Sequence, residues 1–252
     1  MKKLTFLSVL LLPLLTRAVT WTPAPKPWDR GLGTHRIVVN VEAPGEAARA
    51  VLDWRRRDAN PEAKAVLVVA LPSGKEISNV LVPKLTAESG EVVFQPSAGP
   101  GEYAVYFLPV SITGGAFPVS KYRAPENKAD PDWVKKASGP GVVEAKPARW
   151  EALSAMDGWN EMEVIATAAE TAAAARGAKG GMRVAFVDAA SSVRMLDRLP
   201  AGFAQESRWA RPGEVEVRPG GVAMFQILVW AASADLGMSA SPPARAHRPS
   251  PA

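Results

Sequence analysis

The chain has no cysteine. No disulfide can staple it, so burial of apolar side chains alone must hold its fold. Histidine is nearly as scarce: His35 lies in a strand-like segment and His247 close to the C-terminus. Two distant imidazoles and no thiolate make no metal centre, and no metal or other cofactor is expected. A Ser-His-Asp hydrolase needs an ordered base, and nothing like Gly-x-Ser-x-Gly accompanies His35. A phosphate loop is also missing, because Gly177-Ala-Lys-Gly-Gly181 follows a helix-like segment and reads as its stop. No lysine and arginine stripe interleaves with aromatics, which argues against nucleic acid as a partner. The formal charge of +5 is largely peripheral: Lys2, Lys3, Arg17, Arg245 and Arg248 flank the rest, which is close to neutral. Arg55-Arg-Arg57, the densest basic run, reads as a solvated strand end.

Long apolar runs are absent too. Leu4 to Leu15 is broken by Thr5, Ser8 and Pro13, and about a dozen residues cannot span a bilayer. With Lys2 and Lys3 before it and Thr16-Arg-Ala18 after it, residues 1–18 read as a cleaved export signal. The expectation is a periplasmic, cell-surface or secreted protein with no integral membrane segment once the signal is removed.

What is present is apolar content of 47% in 252 residues, enough for real cores. Residues 19–33, rich in Pro and Trp, read as an extended arm. From Thr34 the pattern changes to period two. Strands are predicted over 35–41, 50–55, 65–70, 76–83, 91–95 and 102–108, each bounded by Pro or Gly turns. So many short strands predict an N-terminal antiparallel β-sandwich, Ig-like, over 34–125. Tyr103, just after Gly99-Pro-Gly101, is placed to hydrogen-bond back to that turn as corner tyrosines do.

Residues 126–180 read as a linker with helical turns. Pro131 suits a first helical position, and a second short helix is expected near Pro147, carrying Trp150 and Leu153. A longer helix is predicted near 161–176, with Asn160 as N-cap, Glu163 three residues on, and Gly177 ending it. Strands at 182–188 and 222–232 then predict an incomplete second β domain over 181–238. Residues 239–252, nearly all Ala, Ser, Pro, Arg and His, read as a disordered tail. The fold class is thus mainly β: a sandwich, a helical linker and a partial second sandwich.

For chemistry, carboxylates remain. Most of the 25 acids, such as Glu42, Glu46, Glu88, Glu91 and Glu102, fall on turns or solvated faces, and no pair stands out as an acid and its partner. No catalytic residue is assigned. Eight tryptophans raise carbohydrate binding, since indole faces stack on sugar rings. Trp54 and Trp230 sit in strands and are expected in cores. Trp28, Trp133 and Trp159 lie in loops and are the candidate glycan-stacking residues, with pinning of arm and linker as the plainer use.

Three segments carry a family resemblance: Met162-Glu-Val-Ile-Ala-Thr167 with Ala169-Glu170, then Arg194 and Leu199-Pro200, then Arg218-Pro-Gly220 with Phe225-Gln226 and Val229-Trp-Ala-Ala232. They resemble bacterial proteins of the glycoside hydrolase family 123 type, with Gly221 departing where relatives carry an acid. The resemblance implies a β-sandwich region ahead of a catalytic barrel acting on β-linked N-acetylhexosaminides, with an adjacent Asp-Glu pair assisting the substrate's own acetamido group. This sequence contains no Asp-Glu dipeptide, so no functional residue carries over. The expectation is a non-catalytic, ancillary fragment of a longer exported glycoside-hydrolase-like protein, truncated or frameshifted, in glycan metabolism. The competing expectation is a stand-alone carbohydrate- or surface-binding module.

Overall fold

A computed structural model describes residues 19–159, 162–189, 193, 197–209, 220–222 and 224–232. The export signal, the cap Asn160 and the tail lie outside the described residues. The chain divides into two compact units, Met1–Val164 and Ile165–Ala252, the first of them mainly β.

The first unit contains β1 (Trp21–Pro23), β2 (His35–Val41), β3 (Ala47–Asp53), β4 (Leu67–Ala70), β5 (Lys75–Glu76), β6 (Val80–Leu85), β7 (Ser89–Phe94) and β8 (Gly101–Tyr106). After these come the hairpin strands β9 (Val110–Thr113) and β10 (Val119–Tyr122), helix α1 (Pro131–Lys136) and the long strand β11 (Val142–Ala152). The strand order is β5-β4-β8-β2-β11-β3-β7-β6, with β1 beside β11. The path curls until its halves face each other: the Phe94 and Tyr103 rings lie 4.9 Å apart, and those of Trp54 and Phe107 5.2 Å apart. Ile37, Val39, Leu52, Trp54, Phe94, Val105 and Phe107 are buried in this interior. Burial of that much aliphatic and aromatic surface is the dominant stabilising term in a chain without disulfides.

The expected strands are found as β2, β3, β4, β7 and β8, whereas the one expected over 76–83 divides into β5 and β6; the corner tyrosine holds as well. Tyr103 donates from Oη to the Gly99 carbonyl at 2.7 Å and accepts from the Ala98 N–H at 3.2 Å. Two pairings are parallel, β1 with β11 and β3 with β11, so the sheet is mixed where an antiparallel one was expected. The arm is structural: β1 adds a strand to β11.

The linker reading is overturned for residues up to 152. Asp130 caps α1, accepting from the N–H groups of Asp132 and Trp133, but the expected helix near Pro147 is part of β11. β11 runs between β2 and β3, pairing with β3 through Val142–Glu144 and with β2 through Ala145–Ala152. Pro147 is tolerated inside this strand because the register shifts between Pro147 and Arg149, a bulge at which a missing N–H costs no ladder bond. The open edge at β6 is blunted in a similar way, with a register shift between Leu81 and Lys84 and exposed Pro83 and Lys84.

The second unit holds α2 (Ala168–Arg176), β12 (Met182–Asp188) and β13 (Phe225–Ala231). α2 starts later than the Asn160 cap predicts. Ile165 bridges to Pro200 and the Ala166 N–H bonds to Leu199 O at 2.8 Å, so that stretch is extended. The capping box belongs to Thr167 and Glu170, each side chain accepting from the other's backbone N–H. Gly177 stands at the C-cap, as expected. β12 and β13 form an antiparallel pair over the expected segments.

Candidate functional site

Strand alternation on the outward face of the first unit brings Arg36 (β2), Glu102 and Tyr106 (β8), and Arg149 and Glu151 (β11) together. Arg36 Nε donates to Glu151 Oε2 at 2.7 Å and its Nη1 to Tyr106 Oη at 2.9 Å. Arg149 Nε donates to Glu151 Oε1 at 2.6 Å, and its two Nη groups grip both Glu102 oxygens. Glu151 is 1% exposed and Arg36 7%. The arm closes the cluster: Trp28 lays its ring 4.2 Å from the Arg36 guanidinium carbon and donates its indole N–H to Gly33 O at 2.8 Å. Gly33 must be glycine, with φ of 92° and space for a Cβ only 2.4 Å from Leu108 O.

The Arg55–Arg57 triplet is not the solvated strand end that the sequence suggests. Arg55 and Arg56 are buried; Arg57 alone is exposed, 3.5 Å from Glu163. Arg56 forks onto Asp58 with bonds of 2.6 and 2.8 Å and sits over the Trp54 and Phe107 rings. Burial pushes the Asp58 carboxyl up, but hydrogen bonds from Arg56 and Lys64 outweigh it and hold it below its ordinary value. His35 is buried as well, edge-on to Trp21 at 4.9 Å and beside Trp159 at 4.3 Å. Desolvation lowers its pKa to about 4, against an opposing pull from Asp157.

The three candidate tryptophans do not converge. Trp28 is half-buried and occupied by Arg36. Trp159 is half-buried among Trp21, His35 and Phe107. Trp133 is 5% exposed, packed with Ala47, Val93 and Ala137, and its indole N–H bonds to Glu46 O at 2.9 Å. It presents no face to a sugar; it pins α1 to the strand below.

A cleft of about 230 Å³ opens between the β4–β5 edge and β6. Leu67, Ile77, Val80 and Val82 line it together with the charged Glu76, Arg123, Glu126 and Lys128. No aromatic residue lines it, and it is smaller than the roughly 300 Å³ at which small-molecule sites begin.

These arrangements are structural in their chemistry. A general acid needs a carboxyl held up near working pH. The Arg149 hydrogen bond holds the Glu102 carboxyl below its usual range instead, and each network carboxylate is already committed to a guanidinium. Among the described residues no group of three or more His, Asp or Glu side chains is placed to hold a metal. The sequence reading missed the network, although charged residues two apart in apolar strands, as in Arg149-Trp-Glu151, signal a shared polar face.

Residues 26–155 match the family described as glycoside hydrolase 123, N-terminal domain. The match lies within the first unit, upstream of the segments at 162–232 on which the resemblance rested. No curated protein and no solved structure matches the chain.

Proposed function

We propose a role from one premise: the chain belongs to the glycoside hydrolase 123 N-terminal domain family, and its matched unit serves as a non-catalytic, ancillary domain of a glycoside-hydrolase-related protein. The observation that carries this reading is the closed network of Arg36, Glu151, Arg149 and Glu102, whose carboxylates face arginines and not an open pocket. A carboxylate gripped in this way neither donates a proton to a leaving group nor attacks a sugar carbon. The basic, apolar and small-residue pattern of residues 1–18 supports export, and the family supports a setting in glycan metabolism.

Purified chain assayed on nitrophenyl β-N-acetylhexosaminides is expected to release no nitrophenol above blank. Turnover that disappears in Glu102→Gln or Glu151→Gln would overturn the reading. The half-buried state of Trp28 and Trp159 favours a second reading, a carbohydrate-binding module. Glycan binding lost in Trp28→Ala or Trp159→Ala, with no turnover, would establish that reading in its place.

A further inference from the structure

The hairpin of β9 and β10 stands out from the first unit. Its register pairs Tyr122 with Val110 and Val119 with Thr113, and the turn beyond places Phe117 at the tip. Phe117 is 89% exposed, Val119 63%, Ile112 49% and Tyr122 45%. Gly114 shapes this turn with a φ of 92°, and a Cβ there would lie 2.8 Å from Phe117 O. Charge is distributed unevenly along the hairpin. From Tyr103 to Ser120 the chain carries none; Lys121 and Arg123 follow, and no acid occurs between Glu102 and Glu126.

We propose that this hairpin is an interfacial arm that seats its apolar tip in the surface of a membrane containing anionic lipid, with Lys121 and Arg123 at the phosphates. The spacing fits. Val119 is two residues from Lys121, about 7 Å of strand, and Phe117 lies beyond it. Apolar side chains of surface-bound elements sit roughly 5–10 Å into the headgroup and acyl boundary. Tyr122, with an apolar ring and a polar end, lies at the level where such residues collect. The exposed apolar side chains cover roughly a few hundred Å², well short of the ~800 Å² per partner of a stable protein interface. Binding through one small wedge and two cations is weak, reversible and salt-sensitive.

The chain lacks cysteine, so Ala116→Cys gives a unique attachment point for an environment-sensitive dye next to Phe117. With the full chain, the dye is expected to shift to the blue on vesicles of phosphatidylcholine and phosphatidylglycerol and to stay water-like on phosphatidylcholine alone. High salt should reverse the shift. Phe117→Asp, in the same labelled chain, should lower partitioning about tenfold or more. Lys121→Glu with Arg123→Glu should do so by a similar factor on the anionic vesicles. Ala116, Phe117 and Lys121 are exposed and Arg123 is half-buried, and an unchanged circular dichroism spectrum confirms that each variant folds. A dye that stays water-like on anionic vesicles overturns the proposal. So does Phe117→Asp partitioning like the parent, or a blue shift that needs only higher protein concentration, which would mark self-association through the tip.

Discussion

The first unit and the second contain equally apolar strands and use them differently. Along β2, Ile37, Val38 and Val39 are all 0% exposed, because neighbours cover both faces. Along β13, exposure alternates: Phe225, Ile227 and Val229 are 53%, 58% and 41% exposed, with Gln226, Leu228 and Trp230 half-buried between them. A two-stranded ribbon buries one face only, whatever its sequence, and is marginal alone. The charges follow the same division. Glu151 is sealed between two arginines, while the Glu206 that forks onto Arg183 has 79% of its side chain in solvent. Apolarity in a strand therefore says that a partner is wanted, not how many faces will have one.

The largest expected effect tests that division directly. Glu151→Ala strands the buried Arg36 and leaves Arg149 with Glu102 alone, and removing one member of a buried ion pair costs about 3–5 kcal/mol. The matching change in the second unit, Glu206→Ala, removes a carboxylate whose side chain is 79% exposed and should cost clearly less than Glu151→Ala. Arg183 keeps its bond to Ala174 O at 3.0 Å and its seat over Trp209. Urea denaturation of both variants measures the contrast. Equal losses would mean that burial does not separate the two units.

A smaller effect belongs to His35. Its folded pKa of about 4 lies below the ordinary 6.5, so the folded state holds it neutral. Above pH 6.5 neither state binds the proton, and its contribution to stability is fully present. As pH falls through 6.5 the unfolded chain takes up a proton that the folded chain refuses, and stability falls until about pH 4. Between pH 7 and 5 that linkage comes to about 2 kcal/mol. Asp58 and Glu102 are held below their usual values, and what they contribute is lost lower in the scale. The other histidine, His247, lies outside the described residues. Denaturation at pH 7, 6 and 5 should show the decline, and His35→Gln should flatten it.

Much of the first unit was legible. Period-two patterning located β2, Gly and Pro bracketed β8, and Asp130-Pro131 announced α1, because each rests on interactions within a few residues. What could not be read was set by distant partners. Pro147 argues against a strand unless the sheet supplies a bulge there. Trp133 looks free until the Glu46 carbonyl is known to receive its N–H. Three successive arginines look solvated unless Asp58, Trp54 and Phe107 stand around the middle one. Ahead of α2 the sequence pointed to Asn160 with Glu163 alone, but the capping box forms at Thr167 and Glu170, after the stretch in which Ile165 pairs with Pro200. Of the candidate glycan contacts, exposure of a loop tryptophan was the quantity needed, and sequence does not carry it.

The smallest expected effect is also the most exacting for the comparison. Phe225→Lys and Ile227→Lys place charge on the β12–β13 face where Phe186 and Val229 are also exposed. With solvent on that face, each should change stability by no more than about 0.5 kcal/mol, the range of ordinary surface substitutions. Losses of several kcal/mol, with the second unit's tryptophan fluorescence moving to the red, would mean that something covers the ribbon in solution. The second unit would then have a two-faced core like that of β2, and the contrast between the units would reduce to one of missing neighbours.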